Sequence, residues 1–360
     1  MRAIFRPMAR SLEEEQRRRR RRRLIQGLLL GSAAVGVPAL INAAVARRAR
    51  RVPETTWGSR DSCSWRGAEI AYQRLGSGEP LVLLHSFGAG HSSAEWRQVA
   101  ERLASSFEVF APDLPGWGHS SGPPEASPSP SLYAEWLEDF LGRVIGRPAV
   151  LVAAGPSGCY AARAAADLPE RVRCLALVVP SGLSPRGKRR GDAVLHRLLR
   201  LPILGTSALN LYTSRGSIAG SLRGEVYASP HQVDDALVDL HYAHAHRPGR
   251  QRWLAAYLSG ALDDPGARRV LGRIRQPTWL AWGRMAAAGG VTSAHPWLSR
   301  LPRGELEIFE QAGSLPHAES PGEFARKLEN FLLESEPSAD PSRTDGPRSQ
   351  RASALATGES

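Results

Sequence analysis

Short apolar runs alternate with longer helix-like stretches through the middle of the chain. The runs are bounded by turn residues and have the length of buried strands, and they are Leu81–Leu84, Val109–Ala111, Val150–Ala153, Cys174–Val179 and Thr278–Trp282. Stretches with helical character, such as Ala94–Ala104 and Leu132–Val144, lie between them. Buried strands that alternate with helices predict a mostly parallel sheet covered on both faces, so the expected fold class is α/β.

Residues 183–272 interrupt this rhythm, because they are helix-like and contain no clear strand. An insertion between two strands is expected to lie as a lid over the carboxyl edge of the sheet, where ligands of α/β proteins bind. The predicted divisions are a basic segment (1–23), an apolar span (24–46), a linker (47–67), a core in two parts (68–182 and 273–334), the lid (183–272) and a disordered tail (335–360) rich in Ser, Pro and charge.

The span 24–46 contains no charged residue and is preceded by the arginine run Arg17–Arg23. About 20 apolar residues cross a bilayer, so this pattern predicts a single transmembrane anchor that attaches the protein to a membrane. The excess of arginine before the span favours a cytoplasmic N-terminus and an extracytoplasmic domain. The alternative is a cleaved signal peptide, since Ala44–Ala46 has the shape of a cleavage site.

Charge is concentrated at the N-terminus rather than on the domain. The chain has a net charge of +12, of which residues 1–51 carry +11 (14 Arg against 3 Glu). The remainder is nearly neutral, so nothing in its charge predicts nucleic-acid binding.

The three cysteines, Cys63, Cys159 and Cys174, form no CxxC pair and are expected to be small buried residues. No phosphate loop, dinucleotide fingerprint or metal motif is present, so neither a cofactor nor a metal is expected.

Four motifs occur in a fixed order between residues 68 and 334. They are His85-Ser86-Phe87-Gly88 after a strand, the turn Asp113–Ser120, the turn Pro169–Val172, and the loop and helix Phe309–Phe324. As a set they resemble the α/β-hydrolase superfamily of esterases and lipases. The resemblance implies a sheet with helices on both faces, a helical lid, a Ser-His-acid triad and an oxyanion hole to which His85, Ser86 and Phe87 contribute.

The positions that align with the triad hold other residues. The nucleophile position aligns with Gly155, the acid position with Ala286 and the histidine position with Ser314. Pro156 follows the nucleophile position, where active relatives supply an oxyanion N–H that proline lacks. We therefore expect no hydrolysis by the usual triad, and we interpret the protein as a membrane-attached, non-catalytic relative that binds a hydrophobic small molecule or a partner.

Two alternatives remain open. An active serine hydrolase acting on carboxylic esters could use the displaced pair Ser157 and His317, with an acid from elsewhere such as Asp263, Asp264 or Glu319. A different reaction could use His85, Glu95 or the lid histidines His241, His244 and His246. His241 and His244 can share a helix face, which we expect to be exposed to solvent rather than to bind a metal.

Overall fold

The computed structural model describes residues 36–53, 57–183, 192–287 and 290–335. Eight strands form one sheet in the order β1-β2-β4-β3-β5-β6-β7-β8. The first two pair antiparallel with each other and β2 pairs antiparallel with β4, whereas all later pairs are parallel. The bounds are β1 Ser59–Trp65, β2 Ala68–Leu75, β3 Glu79–Leu84, β4 Phe107–Pro112, β5 Ala149–Ala154, β6 Val172–Val178, β7 Thr278–Gly283 and β8 Gly304–Phe309.

The central strands are buried on both faces, as their unbroken apolar sequences predict. Every residue of β5 is buried, and β3 and β6 are nearly so. The helices that flank the sheet are α2 Arg97–Leu103, α3 Pro130–Phe140, α4 Ser157–Asp167, α11 His295–Leu298, α12 Pro316–Glu319 and α13 Pro321–Glu334. Outside the lid, helix α2 packs against α13, and α3 packs against α4. The predicted α/β class and the five predicted strands are confirmed.

The sheet begins earlier than residue 68. Strand β1 lies inside the predicted linker 47–67 and pairs along its full length with β2. Its residues alternate between exposed and half-buried, and they are mostly polar. An edge strand of this kind gives no apolar run, which is why the hydrophobic pattern did not reveal it.

In the described residues, the insertion between β6 and β7 consists of helices and connecting loops without a strand, and residues 184–191 lie outside the described ones. Its helices are α5 Ala193–Leu199, α6 Leu204–Tyr212, α7 Arg215–Ser221, α8 Asp235–Ala245, α9 Arg250–Leu258 and α10 Ala267–Val270. The buried Arg250 donates to the carbonyl oxygens of Gly118 and Ser120 in the loop after β4. His241 bonds the carbonyl oxygen of Ala89 in the loop after β3 at 2.9 Å. The insertion therefore covers the carboxyl edge of the sheet, as a lid would.

The predicted transmembrane span is not a membrane helix in the described part of the chain. Residues 24–35 lie outside the described residues, and residues 36–49 form helix α1. Ala49 is buried in a cluster with Ile218, Leu222 and Tyr242 of the lid, and Asn42 bonds the carbonyl oxygen of Ile203 at 3.2 Å. None of the described helices is both long and apolar enough to cross a bilayer. For residues 36–46, the described part of the span, the prediction of a transmembrane helix is therefore wrong, because α1 uses one side to pack on the lid.

The docking of α1 is testable by hydrogen exchange. Ala49→Glu places a carboxylate in an apolar contact, so we expect α1 to open more readily by roughly 2 kcal/mol. Ala44→Glu is the matched control, because Ala44 is exposed on the same helix. Amide exchange of residues 36–49 should accelerate in the first variant only. Equal protection in both variants would show that α1 is not held by this contact.

Candidate active site

The residues aligned with the triad follow the carboxyl ends of three parallel strands. Gly155 follows β5, Ala286 follows β7 and Ser314 follows β8, while His85 to Gly88 follow β3. Parallel strands end at the same edge of a sheet, so these four segments lie along one edge, under the lid.

Gly155 forms the sharp turn between β5 and α4. It has a φ of +57°, and Pro156 follows with φ −62° at the start of the helix. This strand–turn–helix is the geometry of a nucleophile elbow, and its left-handed conformation suits glycine. A Cβ added to Gly155 would collide with the Ser86 hydroxyl and lie 3.3 Å from the Ser86 Cβ. The elbow is therefore present, but Ser86 occupies the space of the nucleophile side chain.

The residue that follows the elbow glycine is a proline. Pro156 is well suited to the N-terminus of α4, yet it has no N–H to donate. Loss of one such donor removes about 3 kcal/mol of transition-state stabilisation. The turn thus keeps the backbone geometry of an elbow, and position 156 offers no N–H.

The candidate displaced nucleophile, Ser157, is bonded to backbone oxygens. Its side chain is fully buried, and its hydroxyl donates to the carbonyl oxygen of Ala154 at 2.8 Å and approaches that of Leu84 at 3.4 Å. His317 is also fully buried, and its ring stacks on Trp96 with centroids 3.8 Å apart. The hydroxyl of Ser157 is thus committed to backbone oxygens, and the structure gives it no hydrogen bond with His317.

The histidine position, Ser314, is bound to the lid. Its N–H donates to the carbonyl oxygen of Val226 at 2.7 Å, and its hydroxyl donates to that of Glu225 at 3.3 Å. Beside it, the Glu319 carboxylate accepts the N–H of Gly313 at 2.7 Å and that of Ala228 at 2.6 Å. Burial raises the pKa of Glu319. Three of these contacts fasten lid residues 225–228 over Ser314, and the bond between Gly313 and Glu319 braces the loop itself.

The acid position contributes no carboxylate. Ala286 is buried, and its N–H donates to the carbonyl oxygen of Gly283 at 3.1 Å. Of the acids suggested as substitutes, Asp264 pairs with Arg163 at 3.1 Å and accepts the N–H of Gly266. Glu319 belongs to the contacts with the lid. Both carboxylates therefore have structural partners.

A buried polar cluster centred on Glu95 is the feature that the sequence did not reveal as a unit. Glu95 accepts the N–H of Ser86 at 2.8 Å and contacts Nδ1 of His91 at 2.9 Å, while Nε2 of His317 lies 3.4 Å away. Burial alone would raise the pKa of Glu95, but the hydrogen bonds and charges of His317 and His91 hold it well below its ordinary value. The spacing of His91 and Glu95, four residues apart, was the available signal.

His85 anchors the loop after β3 instead of facing a ligand. The N–H of Leu114 donates to its Nε2 at 3.0 Å, and its Nδ1 therefore carries the proton that bonds the carbonyl oxygen of Ser86 at 2.6 Å. Burial lowers the pKa of His85. The neutral ring holds two loops together.

The expectation that the lid histidines face solvent is wrong. His241 and His244 are both buried, and their rings contact His91 and His119 at centroid distances of 5.0 Å and 4.9 Å. Burial lowers the pKa of His241 to about 4 and that of His244 to about 3, so both are neutral at pH 7. Helix α8 has its histidine face turned toward the sheet. Within the described ranges, no group of three His, Cys, Asp or Glu side chains is arranged to hold a metal.

The Glu95 cluster predicts a specific pH dependence of stability. Because the pKa of Glu95 is lowered on folding, its ionised form stabilises the protein above about pH 4 and this contribution is lost on acidification. Glu95→Gln should therefore lower the free energy of unfolding at pH 7 by about 3 kcal/mol and flatten its decline at acid pH. Urea titrations at several pH values measure both effects.

Glu101→Gln is the control for this measurement. Glu101 is exposed on α2 and pairs with Arg97 at 2.9 Å, so its loss should cost about 0.5 kcal/mol or less. Equal losses of unfolding free energy in the two variants would show that the Glu95 cluster does not hold the carboxyl edge of the sheet together.

Comparison with known proteins agrees with this geometry. A model of the alpha/beta hydrolase family matches residues 81–327. A pimeloyl-acyl-carrier-protein methyl ester esterase of Chromobacterium violaceum is 29% identical over 281 residues, covering 72% of this chain and 96% of the esterase. An uncharacterised protein of Mycobacterium tuberculosis is 28% identical over 284 residues, covering 75% of this chain and 80% of that protein.

Solved structures give the same result. The crystal structure of a membrane phospholipase A, described as a bacterial virulence factor, matches with a TM-score of 0.63 at 27% identity. The match covers 88% of this chain and 99% of that chain. The strand order, the elbow after β5 and the family match over residues 81–327 lead to one assignment: the chain belongs to the alpha/beta hydrolase family.

Proposed function

We propose that this protein binds an apolar ligand or a partner under its lid and does not hydrolyse esters by a Ser-His-acid triad. The observation that carries the proposal is the elbow, where Gly155 offers no nucleophile and Ser86 fills the space that one would need. A reaction at this turn would lack its attacking group, and Pro156 would withhold one of two oxyanion donors.

The contacts of the lid support the same proposal. In an active triad, the loop after β8 presents a histidine to the nucleophile. Here Ser314 and Glu319 instead bond the lid residues Val226 and Ala228. The loop that should supply a base therefore serves to hold the lid.

The class of ligand follows from the aromatic side chains beneath the lid. The Phe87 ring lies 5.1 Å from Trp117 and 5.2 Å from Tyr133. It also contacts Tyr160 at 6.0 Å and Tyr257 of α9 at 6.4 Å. These rings are buried, or half-buried in the case of Tyr257, and packed against one another, so a hydrophobic small molecule would have to part them in order to bind, and few polar groups would orient it. The curated relatives named as esterases act on acyl compounds by their names, and an acyl chain fits the same chemistry.

A hydrolase that uses Ser157 and His317 is the second candidate, and no contact favours it. The Ser157 hydroxyl donates to backbone oxygen, and His317 is stacked beneath Trp96. Activity by this pair would require both side chains to leave fully buried positions.

Covalent labelling with a fluorophosphonate probe tests the proposal on the full-length protein. We expect no labelling, because no serine in the described part of the site is activated by a histidine. An active esterase labelled in parallel confirms that the probe works. Labelling that disappears in Ser157→Ala would establish the displaced pair. Labelling that disappears in Ser86→Ala would place a nucleophile on the loop after β3, and either result would overturn the proposal.

A double-mutant cycle tests whether Ser86 fills the elbow. Gly155→Ala should destabilise the protein through its positive φ, by about 1 kcal/mol, and through the collision with Ser86, by roughly 2 kcal/mol more. Ser86→Gly should relieve only the second part. Gly146→Ala is the matched control, because Gly146 has a φ of +69° and open space around its Cα.

Urea unfolding of the four combinations gives the coupling energy between the two positions. Ser86→Gly should rescue Gly155→Ala and leave Gly146→Ala unchanged. The absence of coupling between positions 86 and 155 would show that the elbow has room for a side chain.

A further inference from the structure

Exposed apolar side chains are concentrated on one part of the lid. Ten of the twelve large apolar residues exposed in the described ranges lie on α1, α5, α6 or the turn between α5 and α6. Leu40 is 74% exposed, Leu204 64% and Leu211 76%. The others are Val37, Ile41, Val194, Leu195, Leu198, Leu201 and Tyr212. We call these ten side chains the apolar lid face.

The exposed residues of α1 form a stripe rather than a scatter. Val37 and Ile41 are four residues apart, and Leu40 lies beside them on the same side of the helix. The opposite side of α1 contains Asn42 and Ala49, which contact the lid. Since the inner side is already packed, the outer stripe is available for another surface.

The three helices adjoin one another, so their apolar residues lie close together. Asn210 of α6 donates to Asn42 of α1 at 2.8 Å, and Ser207 donates to the same oxygen at 3.2 Å. Gly205 at the start of α6 bonds the carbonyl oxygen of Leu201 at 3.0 Å. Any side chain at this glycine would collide with the backbone of Leu199 in α5. Close packing on both sides of α6 makes the face continuous across the helices.

The charge close to the apolar lid face is mostly positive. Residues 36–51 and 193–213 contain no Asp or Glu, although Asp192 caps α5 and Glu225 lies near Tyr212. These two ranges contain six exposed arginines, which are Arg47, Arg48, Arg50, Arg51, Arg197 and Arg200. An apolar helical surface with arginines at its borders matches the interior and the headgroups of an anionic bilayer leaflet.

We propose that the apolar lid face docks on an anionic lipid surface, with α1 and α6 lying in the plane of the interface. Leucine side chains enter the acyl boundary while the arginines contact lipid phosphates, and no helix crosses the bilayer. A second copy of the chain is the competing occupant. It would bring two sets of six arginines to one interface, which like-charge repulsion disfavours.

Flotation with lipid vesicles tests this proposal on the full-length protein. The probes are vesicles of phosphatidylglycerol mixed with phosphatidylcholine, beside vesicles of phosphatidylcholine alone. The test variant combines Leu40→Ser, Leu204→Ser and Leu211→Ser. The control combines Met285→Ser and Leu333→Ser, since Met285 and Leu333 are 60% and 69% exposed and lie outside the face. The basic N-terminal segment is the same in all proteins, so its binding cancels from the comparison.

We expect the test variant to lose at least about tenfold in partitioning to the mixed vesicles, and the control to bind like the wild type. Binding of the wild type should weaken with added salt and without phosphatidylglycerol. All the substituted leucines are exposed, so unchanged circular dichroism and melting temperature should accompany the loss. Equal binding by the test variant and the wild type would overturn the proposal. A wild-type dimer that the test variant dissociates, with no vesicle binding by either, would assign the face to a second copy.

Discussion

The carboxylate of Glu95 holds together the edge of the sheet on which the site is built. It receives one contact from the loop after β3 through Ser86, one from the start of its own helical turn through His91, and one from the loop after β8 through His317. A charge buried this deeply is tolerated because Ser86 and His91 bond it and the His317 ring lies 3.4 Å away. The position of Ser86, and with it the closure of the elbow, depends on this single buried anion.

Polar contacts hold the lid to the same edge of the sheet. Ser314 and Glu319 bond lid residues 225–228, while Arg250 and His241 bond the loops after β4 and β3. The loop after β8 thus contributes contacts that hold the lid. The loops that carry the motif positions are also the loops that attach the lid to the sheet.

Sequence patterns were sufficient for the central sheet and insufficient for the contacts between its loops. The apolar runs located β3 to β7 because buried parallel strands have no polar face. Strand β1 escaped because an exposed edge strand resembles a linker. The stretch 36–46 looked like part of a bilayer span, but Asn42 and Ala49 turn one side of the helix toward the lid.

The same distinction applies to the candidate site, where the sequence located some residues and could not locate the contacts between others. Motif spacing located Gly155 and Ser314, because both are identified by their positions within motifs along the chain. It could not place Ser86 against Gly155 or His317 against Glu95, since those pairs are separated by 69 and 222 residues and are set by tertiary packing. The lid histidines were misplaced because a short helix with little difference between its faces gives no reliable orientation.

The contact between positions 86 and 155 also makes the two residues a single unit of sequence variation. A side chain at position 155 would meet the hydroxyl already at 86, whereas a glycine at 86 would leave the turn without that hydroxyl. The first change carries a steric penalty that the second removes. Substitutions at the two positions are therefore expected to be tolerated together where the first alone is not.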